Sequence, residues 1–299
     1  MCARKFRPEE ADIDASLVRR LVDAQFPQWS GLALTEVDSA GTSNAMFRLG
    51  EDLAVRLPRL AGSAQDVAKE HRWLPLLAGT LPVAIPSPQG RGIPGEGYPW
   101  PWSVYRWLEG ANPGPGRTPE PALLAQDLAR FVCALRRVDP AGGPASYRSE
   151  PLARRDDVTR AAIHELRAEL AAEQVSAVWA SALRASEASG PAVWIHADLQ
   201  PGNVLVADGR LSAVIDFGCL GLGDPAVDLI AAWYLLPAGA RDVFRSGTGA
   251  DDAAWARGRG WALSVALLEL QHYRESNPVM ASIARHVIAE LLADPPPGT

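Results

Sequence analysis

Leu17, Val18, Leu21, Val22 and Phe26 recur at helical spacing across residues 14–26 and predict an amphipathic helix near the start of the chain. From 33 to 57 the period shortens. Three strand-like runs, Leu34–Val37, Ala45–Leu49 and Leu53–Leu57, are broken by Gly41 and Gly50. A second helix is predicted from about Ser63, read as its N-cap, to Leu74, just before Pro75. The Pro- and Gly-dense stretch 81–102 reads as hairpin strands and loops, and Trp102 to Leu108 as a strand, apolar and aromatic apart from Arg106. EGANPGPG at 109–116 is the best linker in the chain. Beyond residue 120 helical patterns dominate, at 120–138, 151–171, 174–188, 225–235, 251–273 and 277–293. The Pro-rich tail 294–299 reads as disordered. A strand-rich first third and a helical remainder predict an α+β chain, divided into 1–107 and 108–299.

One segment interrupts the helical remainder. HADLQPGNVLV at 196–206 is followed by IDFG at 215–218, and between them apolar runs flank Asp208-Gly209, the signature of a β-hairpin. Asn203 precedes the first strand and Asp216 follows the second, so both are expected at the open end of the hairpin, where one ion can meet both. A neutral amide oxygen and a carboxylate are hard ligands of the kind Mg²⁺ takes alongside water and phosphate oxygens. Asp198 is the residue that can accept a proton from an attacking hydroxyl. Singly, Asp198 and Asn203 are equally readable as turn-capping residues; the set of three, in register with a DFG triplet, points to phosphoryl transfer.

On these motifs the chain resembles the aminoglycoside phosphotransferase family, small-molecule kinases with the two-lobed protein-kinase fold. His196-x-Asp198 with Asn203 matches the family's catalytic loop, Asp216-Phe217-Gly218 its metal-binding triplet, and GDPAVDL at 223–229 a third block. Gly41-Thr42-Ser43-Asn44 resembles the phosphate-covering loop, although a plain hairpin turn explains the same residues. VRLPR at 55–59 occupies the nucleotide-pairing strand. The resemblance implies a small β-rich N-lobe, a larger helical C-lobe, and a nucleotide lying near a hinge at about 105–112, which brings in Tyr105 and Trp107. It also implies that His196 is structural, bonding the metal-binding segment. Asp224 reads either as an anchor for the catalytic loop's backbone or as an N-cap before Pro225.

The main departure from that pattern is Arg56. Kinases place a Lys on this strand, facing a Glu on the next helix, and the two lysines here, Lys5 and Lys69, lie elsewhere. Arg56 is therefore assigned the phosphate-pairing role with Glu70 as its partner; an ordinary surface Arg–Glu pair is the alternative.

Composition narrows the partners. The chain has 299 residues, 47% hydrophobic and 21% charged, with a formal net charge of −6. No basic surplus exists to neutralise nucleic-acid phosphates. Its acidic balance suits a cationic acceptor, for which Glu269, Glu275, Asp251 and Asp252 are candidates, unless they form a solvated helix face. Cys2, Cys133 and Cys219 show no metal-ligand spacing and read as reduced thiols of a cytoplasmic protein. The charged start lacks a signal peptide's apolar segment, and no apolar run approaches the roughly 20 residues that span a bilayer. The expected protein is a cytoplasmic kinase with Mg²⁺ and ATP or GTP as co-substrate, acting on a hydroxyl of a small molecule, with its oligomeric state open. The alternatives are a metabolite kinase of choline, homoserine or sugar type and a catalytically weak nucleotide-binding protein. The 30 residues from Asp216 hold no A-P-E-like block, which argues against a protein substrate.

Overall fold

The computed structural model describes residues 10–38, 41–114 and 120–294. Two compact units emerge. The first contains the described residues up to Thr80, together with Ala84–Gly110 and Ala213–Gly218; the second contains Leu81–Val83, the described part of Ala111–Ser212, and Cys219 onward. A single cut after 107 therefore does not describe the division: the 213–218 segment, which carries Asp216, belongs with the first unit. It is tied there where Val214 N donates to Ala84 O at 3.0 Å.

In the first unit, helix α1 (Ala15–Gln25) begins at Asp14, whose Oδ1 accepts from Leu17 N at 2.7 Å. Five antiparallel strands follow: β1 (Leu34–Glu36), β2 (Asn44–Leu49), β3 (Leu53–Pro58), β4 (Pro88–Gly92) and β5 (Trp102–Arg106), in the order β1-β2-β3-β5-β4. The period-2 alternation sorts the two faces. Ala45, Phe47, Leu49, Val55, Leu57, Trp102 and Val104 join the apolar stripe of α1 in one core. The register places Met46 opposite Arg56, Arg56 opposite Ser103, and Ala54 opposite Tyr105. These side chains share the other face, which receives helix α2 (Ala61–Leu77).

Helix α2 departs from the expected bounds. Ser63 lies inside it, Leu60 at its N-cap offers no side-chain bond, and it continues through Pro75. A proline this near the end forfeits one backbone bond, and buried Leu74 and Leu77 hold the last turn in place.

The second unit is mainly helical: α3 (Pro121–Arg136), α4 (Asp156–Glu165), α5 (Ala172–Leu183), α6 (Ala231–Tyr234), α7 (Ala238–Thr248), α8 (Asp252–Tyr273) and α9 (Pro278–Ala293). The helix expected over 151–171 is shorter, entered through a 3₁₀ turn at Leu152–Arg155; the one expected over 225–235 is a 3₁₀ turn, Pro225–Ile230, followed by α6. Sequence reasoning missed α7. Its buried Ala240, Phe244 and Thr248 recur every four residues, but glycines and arginines between them hide the stripe. α8 is buried almost all round from Trp255 to Leu270 and forms the centre of the unit, against α9, α5, α4 and the 225–230 turn. The expected disorder of the tail falls on 295–299, outside the described residues; Asp294 is described and accepts from Trp233 Nε1 at 2.9 Å. Among the described residues no helix is long and apolar enough to cross a membrane.

Short strands carry the 193–223 segment. β6 (Val193–Ile195) pairs antiparallel with β9 (Gly221–Gly223), and β7 (Val204–Ala207) pairs with β8 (Arg210–Val214). The β7–β8 turn is the Asp208-Gly209 pair, with φ of 51° and 74°, the left-handed values a tight hairpin demands. At Gly221 the requirement is different: a Cβ there would lie 2.4 Å from Ser146 N, where the 145–146 backbone crosses β9.

Candidate active site

The first unit gathers five of the residues singled out by sequence. Arg56 Nη1 donates to both carboxylate oxygens of Glu70, at 2.7 and 2.6 Å, and Nη2 donates to Asp216 Oδ1 at 2.6 Å. With its amide oxygen turned toward Arg56, Asn44 accepts from Nε at 3.0 Å and Nη2 at 2.8 Å. All three guanidinium nitrogens are thus engaged. Glu70 is buried, 1% exposed, and also accepts from the Tyr105 hydroxyl at 2.5 Å. Burial works against the charge on Arg56, but the carboxylates of Asp216 and Glu70 outweigh it and raise its pKa. The surface-pair alternative for Arg56 and Glu70 is ruled out by this burial. Tyr105 turns its side chain inward to support the pair.

Gly41, Thr42 and Ser43 lead into β2, with Gly41 and Ser43 exposed, and Ser43 O accepts from Arg59 N at 2.9 Å. Trp107 lies just past β5; its N donates to Asp52 O at 2.7 Å, and the Arg48 guanidinium covers its ring at 4.6 Å. Lys69, one residue before Glu70, pairs with Asp66 at 3.0 Å and donates to Gly218 O, so a second cation adjoins the DFG triplet. Asp216 itself sits at φ 59°, a strained left-handed conformation for a non-glycine residue.

The second unit holds the 196–203 loop. Asn203 Nδ2 donates to Asp198 Oδ2 at 2.7 Å and to Asp198 O at 2.8 Å. Spending the amide nitrogen this way leaves the amide oxygen as the group available to a cation. Ala197, at φ 67°, is the strained residue of this loop. Its N–H donates to Asp228 Oδ1 at 2.7 Å, and His196 N donates to Asp228 Oδ2 at 3.0 Å. Asp228 is fully buried, and burial raises its pKa against the pull of His196 and these two N–H groups. The loop's anchor is therefore Asp228. Asp224 takes the N-cap role instead, accepting from Ala226 N at 2.9 Å and pairing with Arg257 at 2.7 Å. His196 is fully buried, with Nδ1 accepting from Asp198 N at 3.2 Å and its ring set edgewise to Phe131.

A network of four residues that sequence reasoning did not single out for this loop braces it: Gln200 within the loop, and Arg148, Tyr234 and Glu269 from outside it. Arg148 Nη1 reaches Asp198 Oδ1 at 3.1 Å and donates to Ala197 O. Gln200 Nε2 reaches the same Oδ1 at 2.9 Å and Glu269 Oε1 at 2.6 Å, and Tyr234 donates to Glu269 Oε2 at 2.7 Å. No local signal marks Arg148 or Tyr234, which arrive from 50 residues upstream and 36 downstream of Asp198. Of the four acids considered for a cationic acceptor, only Glu269 enters this network. Asp251 caps α8, Asp252 pairs with Arg245, and the Glu275 side chain is 90% exposed.

A five-stranded sheet unit bearing a buried cation–carboxylate pair and a DFG triplet, with a helical unit bearing a hydrogen-bonded Asp–Asn loop, defines a kinase-like phosphotransferase. The sequence profile of the phosphotransferase enzyme family matches residues 35–261, and the chain belongs to that family. Solved structures agree on the fold. Wild-type aminoglycoside 2'-phosphotransferase-IIIa in its GDP complex is 21% identical, with 94% of this chain and 99% of that chain covered at a TM-score of 0.73. APH(2")-IIia with GDP and kanamycin is 21% identical over 92% and 98%, TM-score 0.71. The macrolide 2'-phosphotransferase MphH from Brachybacterium faecium is 22% identical over 94% and 98%, TM-score 0.58. Among curated proteins no sequence match emerges.

Proposed function

We propose that this phosphotransferase moves the γ-phosphoryl group of ATP or GTP to a hydroxyl of a small acceptor, with Asp198 as the base. The observation that carries the reading is the Asp198–Asn203 pair: one amide fixes the carboxylate through its nitrogen and keeps its oxygen for a cation. Asn203 and Asp216 would hold Mg²⁺; one carboxylate and one neutral oxygen suit an ion that takes its other ligands from water and phosphate. When bound, that ion neutralises charge on the phosphates. Arg56 and the 41–44 loop supply the remaining positive and N–H contacts to phosphate. Asp198 orients the acceptor hydroxyl and takes its proton as the acceptor oxygen bonds to Pγ and the bond from Pγ to the β,γ-bridging oxygen breaks, releasing the nucleoside diphosphate. Positioning and charge neutralisation carry most of the acceleration. The nucleotide is supported by relatives solved with GDP or ADP, and the acceptor class by those solved with kanamycin, gentamicin and streptomycin. The enzyme works in the cytoplasm, where reducing conditions keep scattered cysteines such as Cys133 and Cys219 as thiols.

One observation favours a second reading, a weakly catalytic nucleotide-binding protein: Arg56 stands where kinases carry Lys and binds Asp216 directly. A screen separates the two. Purified protein with Mg²⁺ and ATP or GTP is tested for transfer to kanamycin, streptomycin, a macrolide, choline, homoserine and hexoses. Transfer to any of them supports the kinase, and Asp198→Asn should then lower turnover by roughly 10²–10⁴ while nucleotide affinity is kept. Tight nucleotide binding with no transfer and no hydrolysis supports the second reading. Near-normal turnover in Asp198→Asn removes that residue from the role of base.

A further inference from the structure

Late in helix α8 stands an acidic side chain that the proposed reaction does not use. Glu269 is partly buried, and both of its oxygens are taken: Oε2 by the Tyr234 hydroxyl at 2.7 Å and Oε1 by Gln200 Nε2 at 2.6 Å. The same Nε2 donates to Asp198 Oδ1 at 2.9 Å. A primary amide nitrogen has two hydrogens, and Gln200 spends one on each carboxylate. Only this orientation works, because the flipped amide would set its oxygen against two carboxylates. The second group on Asp198 Oδ1 is Arg148 Nη1 at 3.1 Å, from 50 residues upstream in the chain, while Asn203 holds Oδ2.

We propose that Glu269 is a positioning residue, which orients the Asp198 carboxylate through Gln200 so that the base meets the acceptor hydroxyl. The proposal rests on the reading of Asp198 as base. The physical reason is leverage. A carboxylate rotates about two single bonds, and a misplacement near 1 Å costs about 10²-fold in rate for a step that depends on alignment. Gln200 can brace Asp198 only while something holds Gln200, and an anionic acceptor holds an N–H donor more strongly than a neutral one. The groups facing Glu269 are Tyr234, Gln200, Arg148 and Asp198. Burial, and next the charge of Asp198, push its pKa up to about 7, against the pull of Tyr234, Gln200 and Arg148. The brace therefore strengthens as pH rises through neutrality, when Glu269 becomes an acceptor only.

The experiment uses the full chain with Mg²⁺ and γ-labelled GTP or ATP, with kanamycin as acceptor and with water alone. Glu269→Gln, Gln200→Met and Tyr234→Phe are compared with wild type and with Asp198→Asn. Glu269→Gln and Gln200→Met should lower kcat by roughly 10- to 100-fold, the worth of a charge-assisted bond, with the nucleotide KM unchanged. Wild-type kcat should carry a rising inflection near pH 7 that Glu269→Gln loses and Tyr234→Phe keeps in shifted form. Tyr234→Phe removes one hydroxyl and preserves the ring, so it reports on the network even if the other variants fold poorly. If Asp198→Asn turns over normally, the base assignment fails and this inference with it. If Asp198→Asn is inactive while all three network variants keep wild-type kcat and pH profile, only the positioning role is overturned.

Discussion

Replacing Arg56 with Ala tests a side chain that bonds Glu70, Asp216 and Asn44 at once. In the native arrangement the buried Glu70 carboxylate accepts three hydrogen bonds within 2.7 Å, two from Arg56 Nη1 and one from Tyr105. After Arg56→Ala it keeps one phenol. Removing one partner of a buried pair costs about 3–5 kcal/mol, since the remaining charge stays desolvated. The Arg56 side chain is 12% exposed, so water reaches part of the vacated space and the lower end applies. About 3 kcal/mol corresponds to a fall in Tm of roughly 12 °C for a unit of this size. Lysine should restore only part of this. One ammonium can meet Glu70, but it cannot also serve Asn44 and Asp216, which the planar fork reaches at once. Kinetically, loss of a charge-assisted phosphate contact should lower kcat/KM by about 10- to 100-fold. The assay is thermal melting without nucleotide at fixed salt, followed by steady-state kinetics, on Arg56→Ala, Arg56→Lys, Glu70→Gln and the double mutant Arg56→Ala/Glu70→Gln. The double mutant should lose less than the sum of the single changes, because neutralising Glu70 removes the stranded charge. Strict additivity, or an Arg56→Ala protein melting within about 2 °C of wild type, would refute the reasoning.

Titration of Mg²⁺ against bound nucleotide should show no metal-dependent binding in Asp216→Ala and a smaller loss in Asn203→Ala, since an amide brings no charge; an unchanged metal dependence in Asp216→Ala removes it as a ligand. Gly221→Ala should destabilise the second unit by about 2 kcal/mol or more, because its Cβ would meet backbone rather than a movable side chain; an unaltered melting temperature would show that the 145–146 loop yields. Glu269 has a folded-state pKa near 7 against an ordinary 4.5, so the folded state binds the extra proton between those values. Its contribution to stability is accordingly present at low pH and falls by about 3 kcal/mol as pH rises through that window. Denaturant melts from pH 4.5 to 8 should show this slope in wild type and a flatter one in Glu269→Gln; parallel curves would refute it.

Local information decided much of this protein. The 3.6-residue stripe of α1, the alternation of β2 and β3, and the Asp208-Gly209 turn are written within a few residues of where they act, because backbone geometry responds to nearest neighbours. The candidate residues Asp198, Asn203 and Asp216 stand out for the same reason: their spacing along one loop and hairpin is itself the motif. What the fold alone decided depends on groups that meet from far apart. Pro75 lies inside α2 because tertiary burial of Leu74 and Leu77 outweighs one lost backbone bond. Asp228 rather than Asp224 anchors the 196–203 loop, a choice between two acids four residues apart that only the packing of the 225–230 turn against β6 resolves. Arg148, Gln200, Tyr234 and Glu269 form one network from four separate segments. A charge's partner is set by distance in space, and sequence spacing carries that distance only within a turn, a strand pair or a helix face.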